Sequence, residues 1–174
     1  MGGGCRLSGH HIPGYARQPM ERESVWDYPR PPRVEPSERE VRIEFAGEKV
    51  AESSRALRVL ETASPPTIYL PTTDVRMELL RPAAGRQTFC EWKGRASYLD
   101  LVVGNEVSES AAYFYPEPNR AFAQLRDHVS FYPGRVDAFL GSERVRPQPG
   151  EFYAGWITGD IEGPFKGEPG TLGW

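Results

Sequence analysis

Alternation of apolar and polar positions becomes regular at Val41-Arg42-Ile43-Glu44-Phe45, where Val41, Ile43 and Phe45 share one face and the charges take the other. Gly47-Glu48 supplies a turn and Lys49-Val50-Ala51 returns, which predicts a β-hairpin. The pattern recurs further on. Phe45-Ala46-Gly47-Glu48-Lys49-Val50-Ala51-Glu52-Ser53 lines up with Val102-Val103-Gly104-Asn105-Glu106-Val107-Ser108-Glu109-Ser110. A weaker copy is Phe139-Leu140-Gly141-Ser142-Glu143-Arg144-Val145. Either an internal duplication or convergence on glycine turns accounts for this. Both predict a compact, folded-over β meander or a barrel-like sheet.

Ala56-Leu57-Arg58-Val59-Leu60 fits a helix or a strand by period alone, but its counterpart in the repeat, Ala112-Tyr113-Phe114-Tyr115, is aromatic and reads as strand. Residues 56–61 are therefore assigned to a strand. Thr67-Ile68-Tyr69-Leu70 is another, set off by Pro65-Pro66 and Pro71. Further strands run from Thr88 to Trp92 and from Ser97 to Val103 around a Lys93-Gly94 turn, and from Val136 to Leu140. One or two short helices complete the list. One covers Asp74 to Leu80, with Asp74 as cap and Pro82 as stop. The other places Phe122, Leu125 and Val129 on one face after an Asn119 cap and carries His128.

The chain divides into three stretches. Residues 1–24 are polar and Gly-rich without period, a flexible tail. Residues 25–146 form a single β-rich domain, opened by an extended Trp26, Tyr28 and Pro29-Arg30-Pro31-Pro32 segment. Residues 147–174 are rich in Gly and Pro yet spend Phe152, Tyr153, Trp156, Phe165 and Trp174, so they are expected to pack on the domain as an ordered arm.

Composition narrows the classes. A 174-residue chain, 39% hydrophobic, suffices for one ordinary core. A net charge of −3 speaks against nucleic acid and anionic membranes as partners. No apolar run approaches the roughly 20 residues of a membrane helix. The N-terminus has neither the apolar region of a secretory signal nor a myristoylation pattern. Two cysteines, Cys5 and Cys90, set far apart, make no disulfide framework, and the expected compartment is cytoplasmic. Two Cys and three His are too few for a structural zinc site, and no cofactor is indicated.

Walker A, GxGxxG, HExxH and GxSxG motifs are all missing. The densest chemistry lies in Thr88-Phe89-Cys90-Glu91-Trp92-Lys93-Gly94-Arg95-Ala96-Ser97-Tyr98. A thiol, an ammonium and a phenol stand within nine residues (90 to 98) around a glycine turn. On a strand Cys90 and Trp92 would face the same side, and a neighbouring cation favours a thiolate. Cys90, Lys93 and Glu61 are the candidate catalytic residues. Arg76, Tyr98, Asp74 and Trp92 are the candidate ligand-binding residues, since Arg and Lys together suit a phosphate or carboxylate. The opposing reading makes Cys90 a small core residue, Lys93 a solvated turn lysine, and Asp74 and Arg76 surface partners.

Several blocks carry a family resemblance. They are Arg55 to Thr62, Pro66 to Pro71, Asp74-Val75-Arg76-Met77, Cys90 to Tyr98, Phe131 to Asp137 and the glycine-rich end from Gly155 to Trp174. Over about residues 25–174 the chain resembles domain-of-unknown-function family 427. The resemblance implies a compact β fold akin to the β-tent or Mss4-like folds, and no settled activity. β-Tent relatives often hold zinc through two CxxC pairs, which this chain lacks. The family also carries a nucleotidyltransferase-like label, yet Gly141-Ser142 is not followed by the paired aspartates that magnesium-assisted transfer uses.

Three functions follow as expectations. The first is a pocket binding or transforming a small anionic metabolite, lined by Arg76, Cys90, Lys93 and Tyr98. The second is an interaction module whose Pro-rich and aromatic arms dock a partner or a second copy as a homodimer. The third is a nucleotidyltransferase-like enzyme.

Overall fold

The computed structural model describes residues 21–174. The predicted tail lies outside that range as far as residue 20, together with Cys5, His10 and His11. The strands are β1 (Glu23–Ser24), β2 (Arg33–Pro36), β3 (Val41–Phe45), β4 (Glu48–Ser53), β5 (Leu57–Glu61), β6 (Ser64–Pro71), β7 (Leu80–Cys90), β8 (Gly94–Val103), β9 (Glu106–Phe114), β10 (His128–Phe131), β11 (Asp137–Leu140), β12 (Glu143–Arg144), β13 (Arg146–Pro147), β14 (Trp156–Ile157) and β15 (Ile161–Glu162). They build a mainly β, sandwich-like fold. A large antiparallel sheet runs β2-β5-β6-β10-β9-β8-β7, and a smaller one runs β12-β11-β3-β4. Neither closes into a barrel. No helix among the described residues is long and apolar enough to cross a membrane.

The pleat divides the large sheet into two faces of different chemistry. Ile68 and Leu70 of β6, Leu99 and Leu101 of β8, Ala112 of β9, and Val129 and Phe131 of β10 point to the small sheet. There they form one core with Val41, Ile43, Val50, Ala138 and Leu140. Their strand neighbours Tyr69, Tyr98 and Tyr113 point the other way and pack with Tyr115, Phe122, Leu125 and Tyr132. Register sets these tyrosines in a row. Tyr69 stands opposite Ser130, Ser130 opposite Tyr113, and Tyr113 opposite Tyr98.

Both ends of the described chain are tied to this frame. Glu23–Ser24 pairs in parallel with Ile161–Glu162, and Arg146–Pro147 pairs with Trp156–Ile157. The fully buried Trp156 joins the main core and donates its indole N–H to the Phe131 carbonyl at 3.0 Å.

Local departures from the sequence reading have physical causes. The helix expected over 74–80 is two 3₁₀ turns, Thr72–Asp74 and Met77–Leu79, separated by an extended Val75 that bridges to Ala51. Asp74 ends its turn instead of capping it, accepting hydrogen bonds from Ser53 and Arg55. Residues 120–125 form a kinked 3₁₀ segment, and His128, expected on a helix, begins β10. Phe122 and Leu125 pack with the tyrosines while Val129 enters the opposite core, so the helical spacing spans two different elements. The repeated hairpins share positive-φ glycine turns but not their register: Ala46-Gly47 turns in the first and Gly104-Asn105 in the second. They also lie in different sheets.

Candidate functional site

The tyrosine face of the large sheet floors a cleft of about 420 Å³. Tyr98, Tyr113, Tyr115 and Tyr132 line it and are all buried. Their rings interlock: Tyr98 lies roughly parallel to Tyr132 at 6.4 Å between centroids, and Tyr113 meets Tyr115 edge to face at 6.0 Å. The hydroxyls are engaged as well. Tyr69 and Tyr113 share a hydrogen bond of 3.1 Å, Tyr98 and Thr88 one of 2.9 Å, and Tyr132 donates to the Phe152 carbonyl at 3.1 Å. Burial pushes the Tyr113 phenol up to about 12 and raises Tyr69, Tyr115 and Tyr132 above the ordinary phenol range. At neutral pH these four phenols are neutral.

Lys93 enters from the turn Glu91–Lys93 that joins β7 to β8. That turn is stapled from outside. The Asn119 side-chain amide donates to the Trp92 carbonyl at 2.8 Å, and the Asn119 backbone N–H donates to the Lys93 carbonyl at 3.0 Å. Asn119, expected as a helix cap, makes no such bond and serves this turn. Gly94 follows at φ +106°, a conformation that side chains rarely adopt, with the Glu117 carbonyl 3.4 Å from where a Cβ would stand. The turn is therefore fixed, and Lys93 is only 8% exposed.

A second lysine comes from the C-terminal arm. The Lys166 N–H donates to the Ala63 carbonyl and its carbonyl accepts from the Gln148 amide, both at 2.7 Å. Gln148 is buried and its Oε1 takes the Gly155 N–H at 3.1 Å, so the arm is pinned at the cleft wall. A side chain at 155 would collide with that oxygen, 2.3 Å from the Cβ position. The Lys166 ammonium lies 5.2 Å from the centre of the Tyr153 ring. The chain has only three lysines. Lys49 pairs with Glu52, whereas Lys93 and Lys166, both lining the cleft, have no ion-pair partner among the described residues.

Five of the seven candidates read from the sequence converge here: Glu61, Cys90, Trp92, Lys93 and Tyr98 all line the cleft. Glu61 ends β5 and is 4.0 Å from Arg30. Cys90 ends β7, half-buried and free. Trp92 lies in the turn rather than on the strand expected for it. Asp74 and Arg76 lie elsewhere, on a shallow surface beside β4. Arg55 hydrogen-bonds Asp74 and holds its carboxyl below the usual range, and Arg76 spans Glu48 and Glu78 at 3.2 and 3.0 Å. Sequence reasoning missed Tyr113, Tyr115, Tyr132 and Lys166. Tyr113 and Tyr115 were legible from the alternation Tyr113-Phe114-Tyr115, which sets both on one face of a strand, whereas no short-range pattern points to Tyr132 or Lys166. Among the described residues no group of three or more His, Cys, Asp or Glu stands ready to hold a metal ion.

Residues 33–142 match the family model described as domain of unknown function DUF427. No curated protein matches the chain. The matched span includes the tyrosine floor and Lys93, while Gln148, Phe152, Tyr153 and Lys166 lie beyond it.

Proposed function

The chain belongs to the DUF427 family, and we propose that its cleft binds a small organic anion, with Lys93 as the main charge partner. One observation carries the reading: a lysine 8% exposed, held by a stapled turn, lines a cleft without a carboxylate partner among the described residues. An ammonium presented to a cleft without an ion-pair partner is a natural seat for a carboxylate or phosphate, and Lys166 adds a second positive charge. Elsewhere the ion pairs are made by arginine, Lys49–Glu52 excepted, which suits fixed partners. The cleft volume falls within the range of roughly 300–1,000 Å³ usual for small-molecule sites. Any chemistry on the ligand would fall to Cys90, Lys93 and Glu61, which line the cleft together.

Cys90 offers a direct readout. In a Cys5→Ala variant the rate of its alkylation by iodoacetamide is measured with benzoate, succinate and glycerol phosphate in turn. At least one anion should slow alkylation and raise the melting temperature, and Lys93→Met should abolish both effects. No protection by any of the three, or protection undiminished in Lys93→Met, rejects the reading.

A further inference from the structure

The cleft is graded from inside to outside. Its floor is buried: four tyrosines and Lys93. Its rim carries Phe89, 74% exposed, and Phe152, 57% exposed. Large apolar side chains this exposed are few among the described residues, and two of them belong to one cleft. They come from unrelated parts of the chain, Phe89 from β7 and Phe152 from the loop between β13 and β14. The Phe152 backbone is anchored through its carbonyl to Tyr132, and its ring meets Tyr153 edge to face at 5.0 Å. An exposed phenylalanine gains nothing from water, whereas two at one rim can bury each other's faces against a bound molecule.

The wall chemistry selects which molecule. Aliphatic lining is limited to small groups, Val59, Pro65, Ala96 and Ala154, while eight aromatic side chains line the cleft. A site for an alkyl chain would be walled by Leu and Ile. Such side chains are plentiful on the opposite face of the same sheet and do not line the cleft. Aromatic walls favour aromatic guests, because edge-to-face and offset pairs add about 0.5–1.5 kcal/mol each beyond area burial. We infer that the ligand is an aromatic carboxylate, its acid group at Lys93 and its ring held between Phe89 and Phe152. This rests on the anion reading above and names the class of anion.

Phenylacetate and cyclohexylacetate separate ring chemistry from size and charge, because both are monoanions of similar shape. Isothermal titration should give phenylacetate about tenfold tighter binding, the contribution of one to two aromatic pairs. The Phe89→Leu/Phe152→Leu double variant keeps apolar bulk and loses the rings. It should reduce the preference to near unity and leave cyclohexylacetate within about twofold. Equal affinities of the wild-type chain for both acids, still lost in Lys93→Met, would overturn the aromatic assignment and leave the anion reading standing. A phenylacetate preference unchanged in the double variant would overturn the role of Phe89 and Phe152. Absence of binding by both acids, with no protection of Cys90 by succinate or glycerol phosphate, overturns both readings.

Discussion

The phenol oxygens of Tyr69 and Tyr113 meet at 3.1 Å although their strands, β6 and β9, are not neighbours. The strand between them, β10, places the fully buried Ser130 opposite both. A small residue at that point lets the two rings close over it, 6.0 Å apart and edge to face. Ser130→Leu should therefore cost about 1–3 kcal/mol by overfilling the row. Urea denaturation measures this, and an unchanged midpoint would mean that the tyrosines do not depend on the gap.

The same burial makes the fold sensitive to alkali. Tyr69, Tyr113, Tyr115 and Tyr132 stay protonated when folded but ionise near the ordinary phenol value of 10 once unfolded. The unfolded chain thus binds fewer protons, so stability is complete below pH 10 and falls as pH rises. For Tyr113 the loss accumulates from pH 10 to about 12, where its folded phenol also ionises, and amounts to about 3 kcal/mol. Melting temperatures measured from pH 8 to 11.5 should drop steeply above 10, and less steeply in Tyr113→Phe. A flat profile would contradict the burial of these groups.

Lys93 should serve the ligand more than the fold. Lys93→Met keeps the length of the side chain and its buried stem, so stability should stay within about 0.5 kcal/mol while anion binding is lost. A less stable variant would place Lys93 among the residues that hold the turn together.

Asn119 should act on the ligand without touching it. Asn119→Ala removes the amide bonds that fix the Trp92 and Glu91 carbonyls and frees the turn that carries Lys93. A stability loss of about 1–2 kcal/mol is expected, together with weaker protection of Cys90 by whichever anion protects the parent chain. Full protection at equal anion concentration would show that the turn holds its shape without the amide.

Arg76 supplies the control. It lies on the surface beside β4, paired with Glu48 and Glu78, so Arg76→Ala should leave Cys90 protection unchanged. Loss of protection would connect two surfaces that the fold keeps apart.

The β character was legible because alternation is local: Val41 to Phe45 declares its faces without reference to anything distant. Cys90, Lys93 and Tyr98 were legible as a group because one hairpin delivers all three. Lys166 was not, since it reaches the cleft through the Gln148 side chain and the Ala63 carbonyl in the turn between β5 and β6, contacts that no short-range pattern announces. Arg76 and Asp74 misled for the complementary reason. They are the right residue types for binding an anion, but they are occupied by Glu48, Glu78 and Arg55, partners visible only after folding. Asn119 misled similarly, because the amide that would cap a helix serves equally well to hold a turn from a neighbouring loop.

The division of the large sheet into an aliphatic face and a tyrosine face has a bearing on how such a protein can diverge. Positions 98 and 113 can exchange tyrosine for phenylalanine and retool the cleft, while Ile68, Leu70, Leu99 and Ala112 go on holding the two sheets together. Ligand preference and foldability are thus inherited on interleaved positions of the same strands. An insertion of one residue within β6, β8 or β9 exchanges the two sets and forfeits both at once, whereas exchanging one ring for another at 98 or 113 leaves the aliphatic face untouched.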